Sequence, residues 1–212
     1  MELLTGLLNF ILDLDSHLAW LAANYGAWVY AILFAIVFCE TGLVVTPFLP
    51  GDSMLFVAGT VAATGALDVH GLFAALATAS FLGDNTNYWI GHYLGPRVFS
   101  REGSRILNPA HLARTQAFYD RYGATTVFFA RFVPIVRTFA PFVAGVGRMQ
   151  YRRFLLYSFS GSITWVGSLA YAGYYFGTIP VVQDNLGLVI IGIVLLSIMP
   201  GVIQYLRHRS HS

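Results

Sequence analysis

Lysine is missing from the 212-residue sequence, and charge of either sign is scarce. All twelve basic residues are Arg, and charged residues make up 10% of the chain, against about a quarter in a typical soluble domain. The absence of Lys excludes catalysis through a lysine Schiff base. The shortage of charge excludes an ordinary water-soluble enzyme and a nucleic-acid binder, because so apolar a surface would not remain in water.

Cysteine is nearly absent as well, since Cys39 is the single one and lies in an apolar run. An intramolecular disulfide and a cysteine-based metal site are therefore excluded. The six His residues lack metal-ligand spacing, and the sequence contains no nucleophile-elbow arrangement of Ser, His and Asp. We expect no catalytic residues, no metal and no cofactor.

Apolar residues make up most of the sequence instead. They make up 57% of the chain, aromatic residues make up 16%, and the mean hydropathy is +0.65. Such a chain is typical of proteins whose surrounding solvent is lipid. Aromatic belts and glycine-rich helix contacts are also common in membrane proteins. The composition therefore predicts an all-α polytopic membrane protein.

Two stretches consist of short apolar arms on either side of a break rich in Pro and Gly. The first is 26–64, interrupted around Pro50, and the second is 123–147, interrupted around Pro134. Each arm is short for a full crossing of a bilayer. This pattern predicts two re-entrant helical hairpins, which enter the membrane and return to the same side.

Hydropathy and charge predict the remaining segments. They are an amphipathic interfacial helix at 1–25, a spanning helix at 69–95, an Arg-rich cytoplasmic segment at 96–122, a second spanning helix at 154–178 and a C-terminal transmembrane helix at 186–206. With this topology the exposed Arg clusters lie inside, as the positive-inside rule requires, and the C-terminus is cytoplasmic. The two hairpins then enter from opposite faces of the membrane.

The order of hairpin and spanning helix occurs twice, in 26–95 and in 123–178. Three short motifs recur in the same order, namely Tyr25-Gly26-Ala27 with Tyr122-Gly123-Ala124, Ala58-Gly59 with Ala144-Gly145, and Gly91 to Gly95 with Gly173 to Gly177. The offset of the first motif places Glu40 opposite Arg137. Paired, interrupted segments at corresponding positions indicate an inverted repeat and a transporter-type site.

Four ionisable residues lie in or beside the predicted breaks, and their formal charges sum to zero. They are Glu40, Asp52, Arg131 and Arg137. A charged side chain inside a membrane has a high free energy unless it is paired, so such residues are candidates for function. The guanidinium group of Arg can bind a phosphate or a carboxylate, and the carboxyl group of Glu or Asp can accept and release a proton. The sequence also allows plain salt bridges between the hairpins, a capping role for Asp52 at a helix start, and an accessory role for Asp84.

The same residues lie in motifs that resemble those of the DedA family, part of the SNARE-associated or VTT-domain superfamily. The motifs are Phe38 to Gly42 leading to Phe48 to Ser53, Arg131 to Arg137 continuing to Ala144-Gly145, and Gly83-Asp84 with Tyr88 and Gly91. The sequence departs from the common pattern in having Asp52 where many members have Glu and Ala130 where Gly is common. The resemblance covers residues 25 to 178.

The resemblance implies an inner-membrane protein with two oppositely oriented hairpins, a role in envelope homeostasis and dependence on the proton motive force. It implies recycling of undecaprenyl phosphate from the outer to the inner leaflet. It also implies that Glu40, Asp52, Arg131 and Arg137 are essential positions.

These observations lead to a hypothesis of a proton-linked lipid-phosphate translocase, or flippase, that is not an enzyme. Arg131 and Arg137 would bind the substrate phosphate, and Glu40 and Asp52 would couple it to protons. The alternative is a proton-coupled antiporter of small cations or drugs, with the two acids as the ion site. The expected partners are the lipid phosphate, membrane lipids and protons, without nucleic acid, and a homodimer is compatible with the sequence.

Overall fold

The computed structural model describes residues 24–43, 51–98, 125–185, 188, 189 and 192. Regular structure within these ranges is helical and includes no strand, in agreement with the expected all-α class. The helices are α1 (Trp28–Gly42), α2 (Gly51–Ala63), α3 (Val69–Val98), α4 (Thr125–Ala130), α5 (Pro134–Val146), α6 (Tyr151–Phe176) and α7 (Pro180–Asp184).

The helix boundaries can be set against the predicted segments. Helices α1 and α2 coincide with the arms of the first predicted hairpin, and α4 and α5 with those of the second. Their re-entry into a membrane stays a prediction. The interfacial helix at 1–25, the polar segment at 96–122 and the C-terminal helix at 186–206 fall almost entirely outside the described residues.

The predicted full crossings at 69–95 and 154–178 correspond to α3 and α6. Among the helices in the described ranges, none combines the length and the apolar character expected of a membrane-crossing segment. Both helices carry buried polar side chains along their length, including Asp84 and Asn87 in α3 and Ser158 in α6. The crossing of a membrane by α3 and α6 stays a prediction.

The chain divides into two compact units, and each is built from separated stretches of sequence. The first unit contains the described residues of Met1–Ile36, Phe48–Ala77 and Trp165–Ser212. The second contains those of Val37–Pro47 and Thr78–Thr164. Each unit therefore draws on both of the repeats predicted from the sequence.

In the first unit, α2 and the C-terminal part of α6 approach to backbone contact at two glycines. A Cβ atom on Gly59 would overlap the carbonyl oxygen of Ala170 and lie 2.9 Å from the backbone nitrogen of Tyr174. A Cβ atom on Gly173 would overlap the carbonyl oxygen of Phe56. Only glycine lets two helices approach this closely.

In the second unit, α5 and the C-terminal part of α3 meet in the same way. A Cβ atom on Gly145 would overlap the carbonyl oxygen of Tyr88 and lie 2.8 Å from the backbone nitrogen of His92. A Cβ atom on Gly91 would overlap the carbonyl oxygen of Phe142. The two crossings thus use the motifs that the sequence analysis pairs, in matching roles.

Each of these crossings joins a segment of one predicted repeat to a segment of the other. Helix α2 of the first repeat packs on α6 of the second, and α5 of the second repeat packs on α3 of the first. The second arm of each predicted hairpin, α2 or α5, therefore packs on the long helix of the other repeat. Sequence similarity identifies equivalent segments, but it does not reveal which copy serves as the partner.

The second unit has an apolar core next to its glycine crossing. Its members are Tyr88, Val127, Ala144, Met149 and Phe154. The hydroxyl of Tyr88 donates to the carbonyl oxygen of Met149 at 2.6 Å, and its ring stacks on Phe154 with centroids 4.5 Å apart. This core fixes α3, α5 and α6 around the residues described next.

We predict that Gly173→Ala and Gly91→Ala each destabilise the protein, because a methyl group has to separate two backbones in contact. Overpacking of this kind costs about 1–3 kcal/mol, and the apparent melting midpoint in detergent should fall by several degrees. Gly167→Ala is the matched control on α6, since its Cβ would lie 3.3 Å from the side chain of Phe73. Equal stability of all three variants would contradict the proposed crossings.

Candidate functional site

The second unit contains a buried ion pair between α1, which precedes the first predicted break, and α5, which follows the second. Arg137 donates through Nη2 to Oε1 of Glu40, and the side chains are only 7% and 1% exposed. Glu40 lies in the last turn of α1, and Arg137 lies in the first turns of α5. The pair joins residues that are 97 positions apart in sequence.

Local sequence explains why Arg137 projects from the start of α5. Val133 precedes the helix in an extended conformation, and Pro134 occupies its first turn, where a missing N–H is harmless. Pro141, inside the helix, offers no N–H to the carbonyl of Arg137 four residues earlier. The first part of α5 is therefore less tightly held by its own hydrogen bonds than an ordinary helix.

A second buried pair lies in the same unit. Arg131, in the turn between α4 and α5, donates through Nη2 to Oδ2 of Asp84 and through Nη1 to Oγ of Ser80. Ser158 of α6 donates to the same carboxylate oxygen at 2.6 Å. Both charged side chains are 4% exposed. The turn between α4 and α5 and helix α6 thus both contact one carboxylate of α3.

The narrow space around Arg131 depends on a small residue in α6. A Cβ atom on Gly161 would lie 3.1 Å from Nε of Arg131. The guanidinium group therefore passes directly over the α6 backbone at this glycine. A larger side chain at this position would push the arginine away from Asp84.

Asp52 lies in the first unit, in the first turn of α2. Its Oδ1 accepts a hydrogen bond from Nε1 of Trp165 at 2.9 Å. Trp165 is 3% exposed, so the indole ring is packed inside the unit. A carboxylate in the first turn of a helix is also favoured by the helix dipole.

The structure pairs Glu40 with Arg137, a direct contact that the offset of the repeat leaves open. It gives Arg131 a partner, Asp84, that the sequence suggests only as an accessory residue. It gives Asp52 a partner, Trp165, that the sequence does not single out. The run of polar residues in α3 indicates Asp84 as a candidate. No pattern in the sequence indicates the hydrogen bond between Trp165 and Asp52.

The second unit holds two permanent cations and two carboxylates in a dry environment. Arg does not lose its proton, so each guanidinium group needs an anion nearby. Its planar fork fits a phosphate as well as a carboxylate. Within the described ranges, no group of three or more His, Cys, Asp and Glu has the arrangement of a metal site. The guanidinium groups have the geometry to bind an anion.

Residues 49–175 match the VTT domain, which covers more than half of the chain. The protein named DedA from Escherichia coli K12 is 56% identical over 211 residues, or 99% of this chain and 96% of that protein. This chain belongs to the DedA family. No solved structure matches it.

Other members of the family are named as membrane proteins. An uncharacterized membrane protein of Mycobacterium tuberculosis is 39% identical, covering 92% of this chain and 87% of its own length. The inner membrane protein YqjA of Escherichia coli K12 is 33% identical, covering 85% and 82%. These names support a membrane location for the present protein.

We predict that breaking the first ion pair on one side is worse than removing it altogether. Arg137→Gln leaves a buried carboxylate without its counterion, which costs about 3–5 kcal/mol, whereas Glu40→Gln/Arg137→Gln removes both charges. The apparent melting midpoint in detergent should therefore be lower for the single variant. Arg152→Gln, at an exposed position in α6, should resemble wild type. A double variant less stable than Arg137→Gln would contradict the pairing.

We also predict that Trp165 holds Asp52 through its indole N–H. Trp165→Phe keeps an aromatic ring and removes the donor, which should cost about 1.5–3 kcal/mol because the acceptor is charged. In an Asp52→Ala background the same change should cost less, and this difference measures the hydrogen bond. Trp89→Phe, at a 37% exposed position, is the control. Full additivity of Trp165→Phe and Asp52→Ala would argue against the bond.

Proposed function

We propose that this protein is a lipid-phosphate translocase linked to the proton motive force. Its proposed substrate is undecaprenyl phosphate, which it moves from the outer to the inner leaflet of the inner membrane. The observation that carries the proposal is that Arg131 and Arg137, six positions apart beside one helix break, are both buried and both matched by carboxylates. Such a site is already neutral, and it becomes a phosphate site when the carboxylates give up the guanidinium groups.

Charge balance suggests how protons would drive the exchange. A protonated Glu40 or Asp84 no longer neutralises its arginine, so the guanidinium group becomes available to the phosphate. Loss of the proton restores the carboxylate, which then competes with the phosphate and favours its release. Asp52, held by Trp165 in the first unit, is the further proton-carrying residue in this proposal.

The surroundings of the two arginines support a substrate with an apolar tail. Phe129, Phe132, Val136 and Phe139 are 67%, 42%, 42% and 40% exposed, and they lie in the same short stretch as the buried arginines. A ligand bound here would have its charged group among buried partners and its hydrocarbon against exposed aromatic and aliphatic side chains. In a membrane those side chains face lipid, which is where a polyprenyl chain would remain.

The alternative, an antiporter of small cations or drugs, requires carboxylates that can accept a cation. Of the two acids in that alternative, Glu40 already binds a guanidinium group and Asp52 accepts a hydrogen bond from Trp165, so a small cation would have to compete with an existing partner at each. This competition favours an anionic substrate. The proposal also keeps a cytoplasmic C-terminus and transport rather than catalysis.

The test is transport of fluorescent or radiolabelled undecaprenyl phosphate in vesicles containing the purified full chain, with a pH gradient imposed across the membrane. Wild type should move the lipid between leaflets, and a protonophore should abolish the net movement. Arg131→Lys and Arg137→Lys keep the charge but lose the fork, and each should reduce the rate by about tenfold or more, because a charge-assisted hydrogen bond is worth about 1.5–3 kcal/mol. Arg152→Lys is the matched control.

Other results would redirect the assignment. Equal rates for wild type and Arg137→Lys would remove Arg137 from the substrate site. Proton flux that depends on an added cation, in vesicles without the lipid phosphate, would favour the antiporter. Release of inorganic phosphate from the lipid would indicate an enzyme instead.

A further inference from the structure

Asn87 donates two side-chain hydrogen bonds to backbone carbonyl oxygens of other helices in the second unit. It lies in α3, three residues after Asp84, and is fully buried. Its Nδ2 donates to the carbonyl oxygen of Thr41 at 3.1 Å and to that of Thr138 at 2.7 Å. Because both acceptors are carbonyl oxygens, only the NH₂ end of the amide can serve both.

The two acceptors stand next to the first ion pair. Thr41 follows Glu40 directly, and Thr138 follows Arg137 directly. One amide group therefore ties the backbone beside the acid to the backbone beside the base. The last carbonyls of a helix lack intrahelical donors, so Asn87 supplies a donor to one of them at the end of α1.

Close packing reinforces the connection on the side of Thr41. A Cβ atom on Gly42 would lie 3.2 Å from the Cα atom of Gly83 in α3, and a Cβ atom on Gly83 would overlap Oγ1 of Thr41. The end of α1 therefore packs against α3 at Gly83, four residues before Asn87. The Asn87 amide donates to the carbonyl oxygen of Thr41, at the end of α1.

Burial of the Asn87 amide has a free-energy cost, because its oxygen atom loses its hydrogen bonds to water. Its Oδ1 is buried and accepts no hydrogen bond from the described residues. An apolar side chain of the same size would avoid that penalty, but it would leave two buried carbonyl oxygens without this donor. The two donated bonds are what distinguishes Asn from Leu at this position.

We propose that Asn87 is a positioning residue that holds Glu40 and Arg137 at the separation at which they pair. The inference rests on the proposed function in one respect, since exchange of a phosphate for Glu40 requires the pair to open and to re-form. During that exchange the amide keeps the two backbones in place while the guanidinium group changes partner. Asn87 itself binds neither the acid nor the arginine in the structure.

The test measures the reactivity of Glu40 with dicyclohexylcarbodiimide, which modifies protonated carboxyl groups in apolar surroundings. The full chain in lipid nanodiscs is labelled over a range of pH, and mass spectrometry reports the modified fraction at Glu40 and at Asp84. In wild type, the ion pair should protect Glu40. In Asn87→Leu, labelling of Glu40 should rise several-fold, and its pH profile should shift, while labelling of Asp84 stays as in wild type.

Asn85→Leu is the matched control, because it changes the same residue type two positions away. Asn85 bonds to the carbonyl oxygen of Phe81 and to the hydroxyl of Tyr151, and not to the segments beside the ion pair. Its labelling at Glu40 should equal that of wild type. Asn87→Ser, which is smaller and keeps one donor, provides a second variant if Asn87→Leu fails to fold, and it should give an intermediate labelling.

Two outcomes would overturn the assignment. Unchanged labelling of Glu40 in the Asn87 variants would show that the amide does not position the pair. An equal rise at Glu40 and Asp84 would show a general loosening of the unit instead. Neither readout uses the lipid substrate, so absence of lipid-phosphate transport in vesicles would refute the proposed function without deciding the role of Asn87.

Discussion

A guanidinium group that keeps its proton imposes the main constraint on the second unit. Two such groups are buried there, and each requires a carboxylate within reach, because an unpaired charge in an apolar interior is too costly. Glu40 and Asp84 meet this requirement from two different helices. The start of α5 at Pro134 and the close crossing of α3 and α5 at Gly91 and Gly145 help to bring these partners together.

The two ion pairs differ in the neighbours that surround them. Arg131 and Asp84 share further hydrogen bonds with Ser80 and Ser158. Beside the Glu40 pair, Asn87 donates to the backbone carbonyl oxygens of Thr41 and Thr138, and the arginine lies in a helix that contains an internal proline.

The sequence predicts part of this site and not the rest, for physical reasons. The repeat offset places Glu40 and Arg137 at corresponding positions, but it does not determine that their side chains pair. The pairing of Arg131 with Asp84 does not follow, since α3 offers several polar residues and helical periodicity alone does not select one. Bonds from Asn87 to backbone carbonyls are invisible in sequence, because every residue has a carbonyl. The helical class follows from composition, but the exchanged packing of arms and long helices does not.

That exchange has a consequence for how such a chain could have originated. In an ancestor with a single copy of the motifs, the glycine arm would have lacked its present partner, because that partner is the long helix of the other copy. Two ancestral molecules would have supplied each other with that surface, as the two repeats of the present chain now do. Gene fusion would then have preserved an older partnership between separate molecules, with the reciprocal Gly59–Gly173 and Gly91–Gly145 contacts as its surviving interface.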